Sequence, residues 1–356
     1  MDDGGFMKQA VHLALKAKGM TSPNPLVGAV IVRGGKVIGR GYHARAGDDH
    51  AEIVAIKDAL AKKNSLRGAV MYVNLEPCSH HGRTPPCCEE LVRVGIGRVV
   101  IGHRDPFEKV NGRGVKYLRR HGVEVVESVL ADEARAINQA FSKSARTGLP
   151  YVTVKAGMSL DGKIATRSGK SEWITGEMSR KHGHELRRGY DAIVVGANTV
   201  KIDNPRLKGL LRVVIDGKLS SPLSSRVFRD ENVVVAYSGL ASARNVKRFL
   251  AKGVRIEKFG AKVVSIPRLM KFLGTKMGVQ SMFVEGGGTV NGSFFDAGMV
   301  DDVYFYISPE VIGGIGAVSV VGGKGVGSLK ETAKMKKINV SRLKDDILVH
   351  GIVHEY

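Results

Sequence analysis

The chain has 356 residues, of which 43% are apolar and 25% charged, and its formal net charge is +21. This composition excludes an intrinsically disordered protein and, because a single core rarely grows beyond roughly 300 residues, it predicts two domains. No apolar run approaches the ~20 residues of a membrane-spanning helix. The start, Met1-Asp2-Asp3, is acidic where a secretory signal is basic, so we expect a cytoplasmic protein.

The cysteines and the excess positive charge narrow the function further. All three cysteines, Cys78, Cys87 and Cys88, fall within one short stretch. An odd number packed so closely is a poor disulfide framework and indicates a metal-binding or reactive site. The positive charge, most of it in the second half, indicates attraction to phosphorylated small molecules or nucleic acid, although a solvated basic surface explains it equally well.

Helices and strands alternate in the first half. Residues 7–18 have helical periodicity, and strand-like runs at 27–32 and 37–41 flank the hairpin-type sequence Arg33-Gly34-Gly35-Lys36. The predicted elements that follow are a helix over 51–61, a strand over 69–75, a helix over 85–94, a strand over 99–102 and a helix over 114–121. This alternation is typical of a layered α/β domain.

The polar segment 141–150 contains Gly148 and Pro150, so we place the domain boundary between residues 146 and 147. Beyond it, strands are predicted over 151–156, 192–195, 212–215, 233–236, 281–284, 302–307 and 347–354, with helices over 179–188 and 243–251 among the connections. The pattern predicts a second α/β domain that ends in β-structure. The glycine-rich segment 313–327 is expected to be a mobile loop.

His50-Ala51-Glu52, Pro77-Cys78 and Pro86-Cys87 carry the strongest chemical signal in the chain. One imidazole and two thiolates can supply three protein ligands of a tetrahedral zinc ion and leave the fourth position open for water. Residues two apart on a helix point in nearly opposite directions, so His50 and Glu52 can share a site only if His50 lies at a helix N-terminus.

The residues around this motif support such helix starts. Asp48 and Asp49 are candidate caps of the helix after His50, and Cys87 follows two prolines, as residues of a first helical turn often do. A thiolate there is stabilised by the helix dipole, whereas Cys88 would point elsewhere. The H-x-E and P-C…C layout is typical of zinc-dependent nucleobase deaminases, in which the glutamate transfers protons.

Two alternatives for the motif stay open. Nearby cysteines are often small buried apolar residues. A purely structural zinc site is also conceivable, although it would normally need a fourth protein ligand.

The chain as a whole resembles the bifunctional deaminase/reductase family of riboflavin biosynthesis. In the first half the resemblance rests on Asn24-Pro25, Val27-Gly28, His43, His50-Ala51-Glu52 and Leu75-Glu76-Pro77-Cys78-Ser79-His80-His81-Gly82-Arg83-Thr84-Pro85-Pro86-Cys87. In the second half it rests on Lys155, Ser159-Leu160-Asp161-Gly162-Lys163, Ser171-Glu172-Trp173-Ile174-Thr175 and Glu285-Gly286-Gly287-Gly288. The cysteine block is the specific part, because other nucleobase deaminases usually separate the two cysteines by only two residues.

The resemblance implies two consecutive reactions. The first is zinc-dependent hydrolytic deamination of 2,5-diamino-6-(5-phosphoribosylamino)pyrimidin-4(3H)-one. The second is NADPH-dependent reduction of the ribosyl group, which gives 5-amino-6-(5-phosphoribitylamino)uracil. The implied partners are these phosphoribosylated pyrimidines, with no nucleic acid and no membrane, and the chain is expected to form a homo-oligomer, a dimer or a tetramer.

The resemblance also implies a fold and a set of site residues. The expected fold is an N-terminal cytidine-deaminase-like α/β/α layered domain over 1–146 and a C-terminal dihydrofolate-reductase-like α/β domain over 147–356. The implied zinc ligands are His50, Cys78 and Cys87, with Glu52 as the proton carrier and Asn24, His43 and Arg83 as contacts to the first substrate. In the reductase half, the implied substrate contacts are Lys155, Ser171, Arg187, Leu207 and Glu285. The implied NADPH contacts are Gly157, Trp173, Thr199, Asp203, Gly286, Gly287 and Gly288.

Without the resemblance, the reductase half is less informative. Gly286-Gly287-Gly288 follows an apolar strand, as do loops that bring backbone N–H groups to phosphate, but three glycines alone are weak evidence. No G-x-G-x-x-G follows the first strand, so a Rossmann fold is not predicted. Taken alone, Lys155 favours a solvated lysine at a strand end, and Trp173 favours a core residue.

Two departures from the family pattern leave contacts open. Phe107 stands where the family usually has an asparagine after Asp-Pro, and phenylalanine cannot donate the same hydrogen bonds. Leu210 occupies the usual position of an arginine. Arg206, Lys208 or Arg212 could instead contact the substrate phosphate, and the sequence does not choose between them.

The main alternative function is a nucleic-acid base deaminase whose basic C-terminal domain binds RNA or DNA. Its affinity would fall steeply with salt, and its surface would combine aromatic residues with cations. Aromatic content is only 6%, and the basic stretch 179–188 contains none, so we favour the two-activity enzyme. A zinc-stabilised interaction protein without catalysis is a third hypothesis.

Overall fold

The computed structural model describes residues 1–79, 85–107 and 110–356. The chain divides into two compact units, Met1–Thr147 together with Tyr356 (unit 1), and Gly148–Glu355 (unit 2). The division follows Thr147, whereas the sequence places the boundary after residue 146. None of the helices in the described part of the chain has both the length and the apolar character needed to cross a membrane.

Unit 1 alternates helices with the strands of one sheet. In its described part the strands are β1 (Gly28–Arg33), β2 (Lys36–Tyr42), β3 (Val70–Leu75), β4 (Arg98–His103) and β5 (Glu124–Val126). The helices are α1 (Asp3–Leu15), α2 (Ala51–Ala61), α3 (Cys87–Arg93), α4 (Arg113–Arg120), α5 (Ala131–Ala136) and α6 (Gln139–Thr147). The predicted elements of this half are confirmed with shifted ends, whereas β5, α5 and α6 were not predicted.

Helices cover both faces of this sheet. Its strand order is β2-β1-β3-β4-β5, with β1 antiparallel to β2 and β3, and with β3, β4 and β5 parallel. Val30 and Tyr72 pack into a core with α1, whereas Ile31 and Met71 pack into a second core with α2, α3 and α4. Because successive strand residues point to opposite faces, the result is the expected α/β/α layering.

Two glycines of β2 let α2 approach the sheet closely. A Cβ atom at Gly39 would lie 2.4 Å from the carbonyl oxygen of Ala55, and one at Gly41 would lie 2.3 Å from that of Ala51. Since no larger residue fits at either position, these contacts set the height of α2 above β2. They therefore also set the position of the α2 N-terminus, where His50 lies.

Unit 2, which the structure describes throughout, is built on a larger sheet. Its strands are β6 (Tyr151–Met158), β7 (Lys163–Ala165), β8 (Ala192–Gly196), β9 (Leu211–Ile215), β10 (Val233–Tyr237), β11 (Arg255–Lys258), β12 (Ser281–Val284), β13 (Asp302–Ile307), β14 (Val318–Ser319), β15 (Lys337–Leu343) and β16 (Asp346–Ile352). Its helices are α7 (Glu177–Arg187), α8 (Ala197–Ile202), α9 (Ala243–Ala251), α10 (Ile266–Met277) and α11 (Gly288–Asp296). Every strand predicted for this half is present.

The strand order of unit 2 creates a place for a ligand. The nine-stranded sheet has the order β11-β10-β9-β8-β12-β6-β13-β16-β15. The strands from β11 to β13 are parallel, and β16 and β15 are antiparallel to their neighbours. The chain passes outward from β8 to β11 and then returns to place β12 between β6 and β8. Open α/β sheets bind ligands outside the carboxyl ends of strands at such a reversal.

The segment 313–327 differs from the predicted loop, because part of it is ordered against α11. Its residues Val318–Ser319 form β14, which pairs with β7. Asn291 Nδ2 donates to the Val320 carbonyl oxygen at 2.8 Å, and the Lys324 backbone N–H donates to Asp296 Oδ2 at 2.8 Å. The sequence did not reveal these contacts, since hydrogen bonds between distant segments leave no local pattern.

Candidate active sites

The three predicted zinc ligands lie together in unit 1. His50 is the N-cap residue of α2, Cys78 follows β3, and Cys87 begins α3 after Pro86. His50 Nδ1 lies 3.2 Å from Cys87 Sγ and 3.5 Å from Cys78 Sγ. Within the described residues, these three form a group whose ligand atoms all lie within 4.8 Å of one another. His50 therefore has the helix-terminal position that the motif requires.

The donor set of this cluster fits zinc. One imidazole nitrogen and two sulfurs are ligands that zinc prefers, and three protein ligands are typical of catalytic sites that keep one position open. Hydrogen bonds from the Cys87 thiol and from His50 lower the pKa of Cys78 against the opposing effect of burial. The Cys87 backbone N–H also donates to Cys78 Sγ at 3.3 Å. The cluster thus stabilises a thiolate, which is the form that binds a metal.

The prediction that Asp48 or Asp49 caps α2 was wrong. His50 is itself the N-cap, and within the described residues its side chain makes no capping hydrogen bond. The Asp49 carboxylate instead pairs with Lys57 at 2.5 Å. The start of α2 is therefore held by its packing on β2 and not by a capping side chain.

Glu52 is placed to act as the proton carrier. It lies in the first turn of α2 and is 3% exposed. Burial, together with the negative charge of Cys78, raises the pKa of Glu52 to about 7, and its carboxylate forms a hydrogen bond with the Cys87 side chain. A carboxyl group that titrates near neutrality can both accept and release a proton.

Asn24 and His43 extend the site beyond the ligands. Asn24 Nδ2 lies 3.0 Å from His43 Nε2, and His43 Nδ1 lies 3.0 Å from the Asp49 carbonyl oxygen. Because a carbonyl oxygen only accepts, His43 donates from Nδ1 and accepts the Asn24 amide at Nε2. The His43 ring packs edge-on against His50, with centroids 5.6 Å apart. The two residues therefore form a connected polar wall beside the ligands.

Two buried asparagines that the sequence analysis missed hold the segment that carries Asn24. Asn74, in β3, accepts from the Gly28 backbone N–H at 2.8 Å and donates to the Leu26 carbonyl oxygen at 2.9 Å. Asn138 accepts from the Leu26 backbone N–H at 2.8 Å. Their burial and amide chemistry are visible only in the fold, since asparagine in a sequence mostly indicates a turn.

Glu76, also missed, ties the Cys78 segment to α4. Its buried carboxylate accepts from the backbone N–H groups of Gly112 at 2.8 Å and Val115 at 3.1 Å. These two donors belong to the start of α4, so Glu76 caps that helix from another segment of the chain. The only signal in the sequence was its position two residues before Cys78.

Arg83 and Phe107 are the two remaining positions that the sequence singles out in this half of the chain. Arg83 lies outside the described residues, so its substrate contact stays a prediction. Phe107 is 37% exposed, and its backbone N–H donates to Asp105 Oδ1 at 2.8 Å. Burial raises the pKa of Asp105 to about 6. The Asp105 carboxylate thus stabilises the turn that carries Phe107.

Three residues predicted for the reductase half meet at the reversal in strand order. Lys155 lies in β6, Glu285 follows β12, and Arg187 ends α7. Arg187 Nη1 donates to Glu285 Oε2 at 2.8 Å, and Lys155 Nζ lies 3.5 Å from Glu285 Oε1. All three side chains are largely shielded from water. One carboxylate between two cations leaves a net positive charge, which suits a phosphorylated ligand.

The glycine loop lies beside this cluster and fits a nucleotide phosphate. Gly286 and Gly287 connect β12 to α11, with Gly287 as the N-cap residue and Gly288 as the first helical residue. A Cβ atom at Gly287 would meet nothing within 4 Å, whereas one at Gly288 would lie 2.2 Å from the Ser319 carbonyl oxygen. The loop is therefore open on one side and packed on the other. A helix N-terminus reached in this way binds phosphate through its N–H groups.

Other predicted NADPH contacts surround the same strand ends. Gly157 lies in β6, and a Cβ atom there would lie 3.0 Å from Thr175 Oγ1. Thr199 lies in α8, which begins directly after β8, and Asp203 is the C-cap of that helix. Because β8, β12 and β6 are neighbours in the sheet, these residues and the glycine loop follow or end adjacent strands on the same side of the sheet.

Trp173 is not a core residue, although a single tryptophan taken alone favoured a core position. It is 69% exposed, and the Arg180 guanidinium lies 4.6 Å from its ring centroid. Ser171 and Leu207 are half-buried. Within the described residues, the structure shows no hydrogen bond or ion pair between either of them and the Lys155–Glu285–Arg187 cluster.

Arg212 is not available as a phosphate contact, which removes one of the three candidates. It is buried, its Nη1 donates to Asp230 Oδ2 at 3.0 Å, and its Nε donates to the Asn232 carbonyl oxygen at 3.1 Å. Arg206 and Lys208 are exposed. Either of these two could replace the arginine that the family has at Leu210.

Comparisons with known proteins cover both units. The model of the RibD C-terminal domain matches residues 150–349, and that of the cytidine and deoxycytidylate deaminase zinc-binding region matches residues 1–103. The chain is 40% identical to the riboflavin biosynthesis protein RibD of Bacillus amyloliquefaciens, over 98% of this chain and 95% of that protein. The chain belongs to the RibD family. It is also 36% identical to the RibD of Escherichia coli strain K12, over 88% of this chain and 89% of that protein.

Solved structures of the RibD family match nearly the whole chain. The diaminohydroxyphosphoribosylaminopyrimidine deaminase/5-amino-6-(5-phosphoribosylamino)uracil reductase of Thermotoga maritima has a TM-score of 0.85 and 36% identity, and 99% of each chain is covered. A crystal form of Acinetobacter baumannii RibD has a TM-score of 0.86 and 32% identity, again with 99% of each chain covered. The expected fold, a cytidine-deaminase-like domain followed by a dihydrofolate-reductase-like domain, is confirmed.

Membership in the RibD family settles the two activities. The chain is a zinc-dependent deaminase and an NADP-dependent reductase of riboflavin biosynthesis, and its cofactors are Zn²⁺ and NADPH. This outcome favours the two-activity enzyme over the nucleic-acid base deaminase and over an interaction protein without catalysis.

Proposed function

We propose that unit 1 deaminates 2,5-diamino-6-(5-phosphoribosylamino)pyrimidin-4(3H)-one and that unit 2 then reduces the ribosyl group of the product with NADPH. The observation that carries this proposal is the pair of assembled clusters in one chain, His50–Cys78–Cys87 with Glu52, and Lys155–Glu285–Arg187. The printed activities of the Thermotoga maritima relative support these substrates. We assign residues 1–146 to the deaminase domain and 147–356 to the reductase domain.

In unit 1, His50, Cys78 and Cys87 would hold the zinc ion. When bound, zinc supplies a nucleophile at neutral pH by lowering the pKa of water to roughly 7. The Glu52 carboxylate takes a proton from the nucleophile and gives it to the pyrimidine ring nitrogen; it then carries the second proton, from the added hydroxyl group, to the amino group, which leaves as ammonia. Because Glu52 is buried, it exchanges that proton within the site and not with bulk water.

The polar wall of unit 1 orients the pyrimidine. His43 is held between the Asn24 amide and the Asp49 carbonyl oxygen, so its ring cannot rotate without losing two hydrogen bonds. Asn24 and His43 therefore present a fixed edge to the substrate, and Arg83 is proposed as a third contact. Fixed polar groups of this kind hold the reacting carbon in place during the reaction.

In unit 2, the charge distribution favours the phosphoribosyl group. Hydride transfer is the chemistry of the cofactor, while the protein aligns the nicotinamide with the sugar carbon and excludes water. The residues proposed to face the substrate are Lys155, Ser171, Arg187, Leu207 and Glu285. The residues proposed to hold NADPH are Gly157, Trp173, Thr199, Asp203, Gly286, Gly287 and Gly288.

Two variants assayed on both reactions test the proposal. The protein is incubated with the diaminopyrimidine phosphate or with its deaminated product, while ammonia release and NADPH absorbance are followed together. We expect Cys78→Ala to lose zinc and ammonia release but to oxidise NADPH on the deaminated substrate. We expect Lys155→Ala to keep zinc and ammonia release but to lose NADPH oxidation on the deaminated substrate. Ammonia release by a metal-free Cys78→Ala protein would contradict the zinc assignment, and unchanged reduction by Lys155→Ala would remove Lys155 from the site.

We also propose that the protein acts in the cytoplasm as a homo-oligomer, a dimer or a tetramer. The three thiols are free, as a reducing compartment would keep them. Ile338 and Val340 of the edge strand β15 are 59% and 66% exposed, and exposed apolar residues on a sheet edge favour association. Sedimentation at micromolar concentration tests the assembly, and a monomeric mass would contradict it.

A further inference from the structure

The Lys155 side chain leans toward Tyr306 of the neighbouring strand. In the parallel pair β6 and β13, Lys155 is the register partner of Tyr304, and Gly157 is the partner of Tyr306. Partners in register point to the same face of a sheet, so Tyr306 lies diagonally from Lys155. Gly157 has no side chain of its own there, and the space beside it is taken by the side chain of Thr175, whose Oγ1 would lie 3.0 Å from a Cβ atom at Gly157. Lys155 Nζ lies 5.5 Å from the Tyr306 ring centroid.

Gly183 forms the opposite wall of the space around Lys155. A Cβ atom at Gly183 would lie 3.1 Å from Lys155 Cε, 3.6 Å from Lys155 Nζ and 3.8 Å from the Tyr306 hydroxyl oxygen. Gly183 is buried in the interior of α7, where glycine is less favourable than alanine. Its φ angle is not positive, so the backbone does not require glycine there. What the missing side chain provides is room for Lys155.

Tyr306, on one side of the Lys155 side chain, is hydrogen-bonded to the helix that carries Gly183 on the other side. It is fully buried, and its hydroxyl oxygen lies 2.8 Å from Nδ1 of His182, the neighbour of Gly183 in α7. This hydrogen bond joins β13 to α7. It holds Tyr306 and Gly183 on the two sides of the slot in which the Lys155 side chain lies. Burial raises the pKa of Tyr306, so its ring stays uncharged, and the face of an uncharged ring attracts an ammonium group.

We propose that Gly183, Tyr306 and His182 are positioning residues that aim the Lys155 ammonium at Glu285 and at the ribosyl group of the substrate. The proposal rests on the reductase function proposed for unit 2. The ring attracts the ammonium without accepting a directed hydrogen bond, so the N–H groups of Lys155 stay free for Glu285, whose Oε1 lies 3.5 Å away. Alignment of this kind matters, because a misplacement of about 1 Å can reduce a rate by about 10²-fold.

Gly183→Ala tests the slot. The new methyl group would push the Lys155 side chain aside, so we expect reductase kcat to fall roughly tenfold, with the KM for NADPH and the deaminase activity unchanged. Thermal unfolding should show equal or higher stability, because alanine favours the helix. Gly4→Ala in α1 is the matched control, since a Cβ atom there would meet its nearest atoms at 3.9 Å. A purely structural role for Gly183 predicts wild-type turnover instead.

Substitutions of Tyr306 separate the ring from the hydroxyl group. Tyr306→Phe keeps the ring and loses the bond to His182, so we expect at most about a threefold loss of reductase kcat. Tyr306→Leu removes the ring, and we expect at least about a tenfold loss, since a shielded cation–π contact is worth that much. If Tyr306→Leu fails to fold, as loss of deaminase activity and of the unfolding transition would show, Gly183→Ala decides.

The outcomes distinguish this proposal from the proposed function. If the wild-type protein does not oxidise NADPH with the deaminated substrate, the function of unit 2 is wrong and the positioning role falls with it. If the wild-type protein does so, and Gly183→Ala keeps full reductase activity, only the positioning proposal is overturned.

Discussion

The two active sites differ in how the chain brings their residues together. In unit 1, His50, Cys78 and Cys87 come from one short stretch, and two of them lie at helix starts. In unit 2, Arg187 and Glu285 are 98 positions apart and meet Lys155 only because β12 lies beside β6. The first kind of site can be predicted from the spacing of a motif. The second depends on strand order, which no local pattern records.

The sites also differ in their electrostatics. The unit 1 site is buried. It stabilises a thiolate at Cys78 and raises the pKa of Glu52 to about 7. The unit 2 site keeps three formal charges, with the Glu285 carboxylate paired to both Lys155 and Arg187. Substitutions that expose the buried groups of unit 1 should therefore affect deamination. Substitutions that break the ion pairs of unit 2 should affect reduction.

The largest effect is expected from Glu52→Gln. Glutamine is nearly the same size as glutamate but cannot take up the proton, so deamination should fall by about 10³-fold or more, within the range that general acid–base groups contribute. Zinc content, and NADPH oxidation on the deaminated substrate, should stay at wild-type levels. Metal analysis and the two assays on one preparation measure this, and deaminase activity within tenfold of wild type would remove Glu52 from its role.

Acid should destabilise unit 1 through His103. This residue ends β4, and burial lowers its pKa to about 4, whereas an unfolded histidine titrates near 6.5. The unfolded state therefore binds a proton that the folded state excludes. The contribution of His103 to the free energy of unfolding is therefore fully present above about pH 6.5. It is lost as the pH drops toward 4, by up to roughly 3 kcal/mol.

His103→Gln isolates this contribution, because glutamine does not titrate. The difference in unfolding free energy between wild type and variant, followed by urea denaturation from pH 7 to pH 4, should change across that range. An equal pH dependence in both proteins would show that His103 is not the cause. Deaminase activity should also be lost before reductase activity as the wild-type protein is acidified.

A smaller effect is expected from Glu76→Gln. The amide nitrogen of glutamine cannot accept, so a buried backbone N–H at the start of α4 loses its partner and the Cys78 segment shifts. We expect zinc to be held about tenfold less tightly, as for other groups that support metal ligands indirectly. Release of zinc to a coloured chelator measures this. Glu90→Gln in α3, where Glu90 pairs with Arg93 near the surface, is the matched control and should retain zinc normally.

Much of the fold and of the unit 1 site could be predicted, for physical reasons. Short apolar runs marked the strands of both units, and the spacing of His50 and Glu52 required a helix start that the structure contains. The cap of that helix could not be predicted, because the Asp49 carboxylate is drawn to Lys57 and a histidine takes its place.

Buried polar partners were the main features that the sequence hid. Asn74, Asn138 and Glu76 act through backbone groups far away in the chain, so nothing near them in sequence reveals their role. Arg212 failed as a phosphate contact for the same reason, since its partner Asp230 comes from a different segment. Trp173 is exposed, although a single tryptophan usually packs inside a protein.

Each unit has its own core, and the residues proposed for each reaction lie within one unit of the sequence. Two defective copies of this chain, one lacking Cys78 and the other lacking Lys155, would therefore still contain every required group between them. Alleles of this kind should complement each other when they are expressed in one cell, whereas two alleles damaged in the same unit should not.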